Sequence, residues 1–167
     1  MALTESTMEL DLGAEAPDFA LTDVVTGKTV RRDDFRGQKG LAALGMDYDG
    51  EPVSIVAVGS NDAETYPDDA PEGLKRQAET MGFRFPYLYD ETQNVARAYH
   101  AACTPDLFLF DGDLKLAYRG QFDASRPGNG VPVTGQDLRA AMDAVLAGKR
   151  VPKDQRPSIG CNIKWKG

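Results

Sequence analysis

The chain has 167 residues, 41% of them hydrophobic, with a formal net charge of −7 and a pI near 4.7. That length suits one domain burying roughly 70% of its unfolded surface, and the negative field argues against a nucleic-acid or anionic-membrane partner. Two cysteines and one histidine cannot build a Cys/His-rich zinc site or a disulfide framework. No metal or other cofactor is called for, and no apolar run nears the ~18 residues of a transmembrane helix.

The opening Met1-Ala2-Leu3-Thr4-Glu5-Ser6 lacks a basic stretch followed by an apolar one. No signal peptide is expected, and a cytoplasmic location is the default. Residues 1–14 are polar and read as frayed. Ala16–Asp23 and Thr29–Arg32 flank a turn at Thr26-Gly27-Lys28, which predicts a β-hairpin. Asp33–Gly37 reads as a helical turn or loop. From 38 to 52, Gly40, Gly45 and Gly50 interrupt a short helix-favouring Leu41–Leu44 run. Val53–Gly59 is β-branched and almost continuously apolar, as a strand buried on both faces should be.

Asn61–Gly73 is acidic without the spacing of a calcium loop. It predicts a solvated loop entering a helix over Pro71–Met81, with Pro in the first turn. Phe85–Asp90 predicts a strand, Glu91–Ala101 a helix and Asp106–Phe110 a strand. A tight turn at Asp111-Gly112-Asp113 leads into an alternating strand from Leu114 to Arg119. Gln121–Val133 is a Gly- and Pro-bearing loop. Thr134 and Asp137 suggest a capping box for a helix whose stripe is Leu138, Ala141, Met142, Val145 and Leu146, ended by Gly148. A single domain over 1–150, followed by a basic tail over 151–167, is the expected organisation. Alternating strands and helices closing on an antiparallel hairpin argue for α/β with a mixed sheet.

Four stretches resemble one family. They are Ala16-Pro17-Asp18-Phe19-x-Leu21 with Gly27-Lys28 and Asp34-Phe35-Arg36-Gly37; Ala101–Asp111, which holds Cys103-Thr104-Pro105; Tyr118-Arg119-Gly120-Gln121 with Ser125–Gly128 and Gly130–Gly135; and Arg156–Lys166. In that order they resemble the thioredoxin-like redoxins of the alkyl hydroperoxide reductase/thiol-specific antioxidant group, the peroxiredoxin-like branch. The resemblance implies a thioredoxin-like α/β fold: a mixed central sheet flanked by helices, with an N-terminal β-hairpin.

It also marks an omission. Family members enter a central strand after the Asp-Phe-x-Gly motif, and that strand ends in a reactive cysteine turn at a helix start. Here Gly37-Gln38-Lys39-Gly40 runs straight into Leu41-Ala42-Ala43-Leu44, and no Cys-x-x-Cys occurs. A segment on the order of 20–25 residues is missing near 40–41 at typical element lengths. The thiolate is the nucleophile, activated by the helix N-terminus, so the chain as written is expected to have little or no such activity. The lost strand belongs mid-sheet, where its neighbours would expose two edges. A sequence closed up over the segment, a truncated gene, or a substitute strand from 38–46 would each account for the pattern.

The resemblance makes Thr104 and Pro105 the best-placed site residues, because family members have a cis proline there facing the reactive turn. Cys103 and Cys161 are the candidate catalytic thiols, as resolving or regulatory cysteines. The alternatives are a small buried side chain for Cys103 and a docked tail position for Cys161, held through Ile159, Ile163 and Trp165. Cys161 could pair with Cys103 or with a partner. Arg126 is a candidate for substrate binding, and with Arg119 for stabilising a thiolate or peroxide oxygen; surface or ion-paired roles compete. His100 and the carboxylate pairs Asp33-Asp34 and Asp68-Asp69 read as structural or solvated.

The implied chemistry is thiolate attack on a disulfide or peroxide. A thiol reductant protein or a low-molecular-weight thiol then restores the starting state. The rival is a non-catalytic peptide-binding module using edge-strand pairing. A homodimer exchanging an element is a further possibility.

Overall fold

A computed structural model describes residues 3–37 and 52–167. The interrupted run at 41–44 and the joint near 40–41 lie outside the described residues. The hairpin forms as expected: β2 (Ala20–Asp23) pairs antiparallel with β3 (Thr29–Arg31). Asp23 builds its turn by accepting bonds from the Val25 and Thr26 N–H groups and the Thr26 hydroxyl, the usual use of Asp in a turn. A 3₁₀ turn follows at Arg32–Phe35, whose buried Phe35 packs on Phe19.

The strand predicted over 53–59 is shorter, with β4 covering Ala57–Gly59. Nor is it buried on both faces, since Val58 is 39% exposed. Helix α1 (Pro71–Met81) has the predicted limits and ends on left-handed Gly82. Then come β5 (Tyr87–Tyr89) and α2 (Asn94–Ala98), the latter only five residues long. β6 (Cys103–Thr104) and the hairpin β7 (Leu107–Phe110) and β8 (Leu116–Gly120) follow. Helix α3 (Gln136–Leu146) buries Leu138, Ala141 and Met142, each apolar side chain of Leu or Met size contributing about 1.5–3 kcal/mol.

Two expectations need correction. Residues 3–5 are not frayed: β1 (Leu3–Glu5) pairs antiparallel with β9 (Ile159–Asn162), which also pairs with β6. The tail is therefore the middle strand of a sheet ordered β1-β9-β6. Main-chain pairing, which leaves no apolar rhythm in so polar a segment, holds this corner. The capping box at Thr134 also does not form. The Asp123 carboxylate reaches across the loop and accepts from the Thr134 and Gly135 N–H groups at 2.6 Å each.

The main sheet runs β3-β2-β5-β4, antiparallel except for the parallel β5–β4 pair. β7 alternates between two cores. Leu107 and Leu109 join Tyr118 and the α3 residues, whereas Phe110 joins Phe19, Leu88 and Tyr99. Strand alternation of this kind places one apolar layer on each face.

Candidate functional site

Among the described residues, β4 pairs only with β5, and β7 only with β8. Between them lies a mainly apolar cavity of about 330 Å³, with Val58, Tyr99, Phe108, Leu138 and the Cys103–Asp106 turn in its lining. The Thr104–Pro105 peptide bond is cis, and both residues are exposed. The structure therefore brings Thr104, Pro105 and Cys103 to one cavity.

Cys103 is 3% exposed, and its Sγ donates to the Pro105 carbonyl at 3.6 Å. Burial pushes its thiol up to about 12, the Asp106 carboxylate adds to this, and the Arg119 guanidinium opposes it. At neutral pH it is a protonated, enclosed thiol, and the thiolate is the reactive form.

Cys161 is placed differently. In the β6–β9 register it lies opposite Thr104, while Cys103 lies opposite Asn162. Directly opposed residues share a face and neighbours alternate, so the two sulfurs leave opposite faces of the sheet. An intramolecular Cys103–Cys161 disulfide does not fit this register, and neither cysteine is in a disulfide. Cys161 is half-buried, the more accessible of the two. Gly160 brings the strands together here: a Cβ on it would meet the Thr104 carbonyl oxygen at 2.2 Å.

Arg119 is not at the surface, as the competing reading had it; it is 1% exposed. Its Nη2 donates to the His100 carbonyl at 2.7 Å and to the Thr7 hydroxyl at 3.1 Å. Its guanidinium lies 5.1 Å from the Phe108 ring centroid. His100 has a positive φ, and its Nδ1 meets Glu9 at 2.9 Å.

Asp106 was missed in the sequence. Its Oδ2 accepts from the Ser6 hydroxyl and the Ala102 N–H, both at 3.1 Å. Burial pushes its carboxyl up, opposed by the Ala102 N–H and by Arg119. Asp106 Oδ1 and Arg119 Nε and Nη1 find no hydrogen-bond partner among the described residues. The only signal was an acid opening an otherwise apolar strand.

Arg126 is not placed at the cavity. It donates to the Asp123 and Ser125 carbonyls and to Gln121 Oε1, so it braces the 121–135 loop. Arg32 and Arg36 surround Asp33, the Arg31 N–H binds Asp34, and Asp68 is solvated, 3.8 Å from Arg76. Gln93, unmarked in the sequence, pins the tail: its amide donates to the Ser60 and Lys164 carbonyls and accepts from the Lys166 N–H. Among the described residues there is no metal-ligating cluster, and no helix is long and apolar enough to cross a membrane.

The model of the AhpC/TSA family matches residues 39–119. An uncharacterised conserved protein from Geobacillus kaustophilus superposes with a TM-score of 0.93 at 51% identity, covering 99% of this chain and 97% of that one. A hypothetical protein from Sinorhizobium meliloti 1021 gives 0.92 at 44% identity, covering 98% and 99%. The chain belongs to the AhpC/TSA family of thioredoxin-like redoxins. At the level of fold alone, this redoxin is also similar to a thiol:disulfide interchange protein DsbE from Chlorobium tepidum and a peroxidoxin BcpB from Mycobacterium tuberculosis. The first has a TM-score of 0.61 at 23% identity, covering 83% of this chain and 99% of that one. The second has 0.57 at 16% identity, covering 86% and 100%. No curated protein matches the sequence.

Proposed function

We propose that this redoxin exchanges thiols and disulfides on extended polypeptides received at the Thr104–Pro105 turn, with Cys161 as the exchanging thiol. The observation that carries this is the register Thr104↔Cys161: it sets the accessible thiol beside the turn. The Cys161 thiolate attacks a substrate disulfide. The substrate S–S bond breaks, one sulfur leaves as thiolate, and a mixed disulfide forms. A second thiol, on a reductant protein or a low-molecular-weight thiol, attacks that mixed disulfide and returns Cys161 to its starting state. Peroxide reduction is the weaker reading, because the thiol lining the cavity, Cys103, is held protonated.

A second reading, a non-catalytic polypeptide-binding module, is favoured by that same enclosed Cys103. The discriminating experiment is reduction of a peptide–glutathione mixed disulfide in excess glutathione. Wild type and Cys103→Ser should turn over alike, and Cys161→Ser should lose at least ten-fold. Turnover that survives in the double variant would remove thiol chemistry altogether. No turnover in wild type, with the peptide still bound, would establish the second reading.

A further inference from the structure

We infer that Asn129 is a self-modifying residue: its side-chain amide is set to cyclise onto the Gly130 nitrogen, release ammonia and leave an aspartate or isoaspartate in the loop that enters α3. The inference involves no thiol and stands apart from the exchange reaction.

The sequence supplies the reacting pair. Asn129-Gly130 puts a carboxamide directly before the residue type whose nitrogen is least screened, because glycine has no Cβ. Both residues are exposed. Among the described residues, nothing lies within 4 Å of the place a Cβ on Gly130 would occupy, so solvent base has access to the Gly130 N–H.

The fold supplies the activation. Arg126-Pro127-Gly128-Asn129 closes a turn, with the Asn129 N–H donating to the Arg126 carbonyl at 3.1 Å. Pro at its second position and Gly128 at φ +82° at its third make the type II pattern. The turn holds the Asn129 carboxamide so that Oδ1 accepts from two main-chain donors, the Arg126 N–H at 3.1 Å and the Val131 N–H at 3.0 Å. Nδ2 donates to the Ala124 carbonyl at 2.9 Å. Two N–H groups on one carbonyl oxygen draw electrons from Cγ. They also stand where negative charge develops when a nucleophile adds to that carbon. The loop thus builds an oxyanion hole around its own side chain.

The reaction balances without an oxidant or a partner. Base removes the Gly130 N–H proton, and that nitrogen bonds to Asn129 Cγ. The charge passes to Oδ1, between its two donors. The Cγ–Nδ2 bond then breaks, and Nδ2 leaves as ammonia with a proton from water. Water opens the resulting cyclic imide at either carbonyl. One opening gives aspartate at position 129. The other gives isoaspartate, whose main chain runs through the former side-chain carbon.

The test compares the full-length chain with an end-blocked peptide of residues 124–134, both incubated at pH 8. Conversion at position 129 is followed by peptide mass mapping. The folded chain should convert at least ten-fold faster than the peptide, in which neither donor is held in place. The chain unfolded in guanidinium should fall to the peptide's rate. Val131→Pro removes one donor at a residue that already precedes Pro132, where extended backbone is favoured. It should slow the folded chain at least three-fold and leave the rate of a peptide carrying the same change unaltered. A folded-to-peptide ratio below ten overturns the proposal whether or not Val131→Pro folds. An undiminished rate in a folded Val131→Pro variant overturns it as well.

Discussion

At the corner formed by β1, β9 and β6, main chain and polar side chains are knitted together. The Ser6 N–H donates to Ser158, the Ser158 hydroxyl to Gly120, and the Asp62 N–H to Lys164. Asn61 and Gln93 accept from the Lys164 and Lys166 N–H groups. Across the molecule, among the described residues, β4 pairs only with β5 and β7 only with β8, and a cavity walled mainly by apolar side chains lies between them. The polar corner is held by main-chain and side-chain hydrogen bonds, and the apolar one by the packing of side chains. The lesson is that apolar burial alone does not finish a sheet: main-chain groups need partners too.

The comparison breaks hardest at Gly160. Gly160→Ala forces a Cβ against Thr104 main chain, so β9 and β6 must part. A loss of about 3 kcal/mol is expected from overpacking of this size, measured by urea unfolding. Removing Gln93 tests the same corner by chemistry rather than shape. Gln93→Ala deletes three hydrogen bonds at about 1 kcal/mol each. It should release the tail to limited proteolysis near residue 160 while leaving the α3 core intact by hydrogen exchange.

Those two sites also show how far the sequence could be read. The hairpin, α1, β7–β8 and α3 were legible, because apolar periodicity and turn residues signal local structure. β1 and β9 were not: Leu3–Glu5 and Ile159–Asn162 carry no rhythm, and their partners lie more than 150 residues apart. At the site, the Thr104–Pro105 turn was legible from its motif. The burial of Arg119 and the partnership of Asp106 with Ser6 were not, because a single chain does not advertise which charges will be enclosed.

A third test concerns Asp123, which holds the entrance to α3. The Ser125 hydroxyl, then the Gly135, Ser125 and Thr134 N–H groups, keep its carboxyl well below the usual carboxylate range. The lowered value means that it stabilises the fold when ionised. That contribution is full above the unfolded carboxylate range near 4 and is lost as the pH falls through the lowered value. Asp123→Ala should cost about 1–2 kcal/mol at pH 7, as for a lost helix cap, and the gap from wild type should close in acid.

The thiols sharpen the contrast at the level of a single sheet. Iodoacetamide at pH 8 should modify Cys161 first, with Cys103 more than about 100-fold slower, read by peptide mass mapping. Equal rates would mean that the β6 turn opens far more readily than its burial implies. The smallest effect is expected at Trp165, whose ring lies 4.3 Å from the Arg97 guanidinium. Trp165→Ala should cost about 0.5–1 kcal/mol at so exposed a cation–π contact.

The central position of β9 also sets the order of assembly. As the chain leaves the ribosome, N-terminal elements emerge and fold first, at about 5–20 residues per second. The hairpin and the α1–β5 unit can form early from neighbours in the sequence. β1 and β6, however, must wait for Ile159–Asn162 before either has its sheet partner. During that interval the Thr104–Pro105 turn lacks its opposing strand, so the wall of the candidate site is among the last parts of this protein to be built.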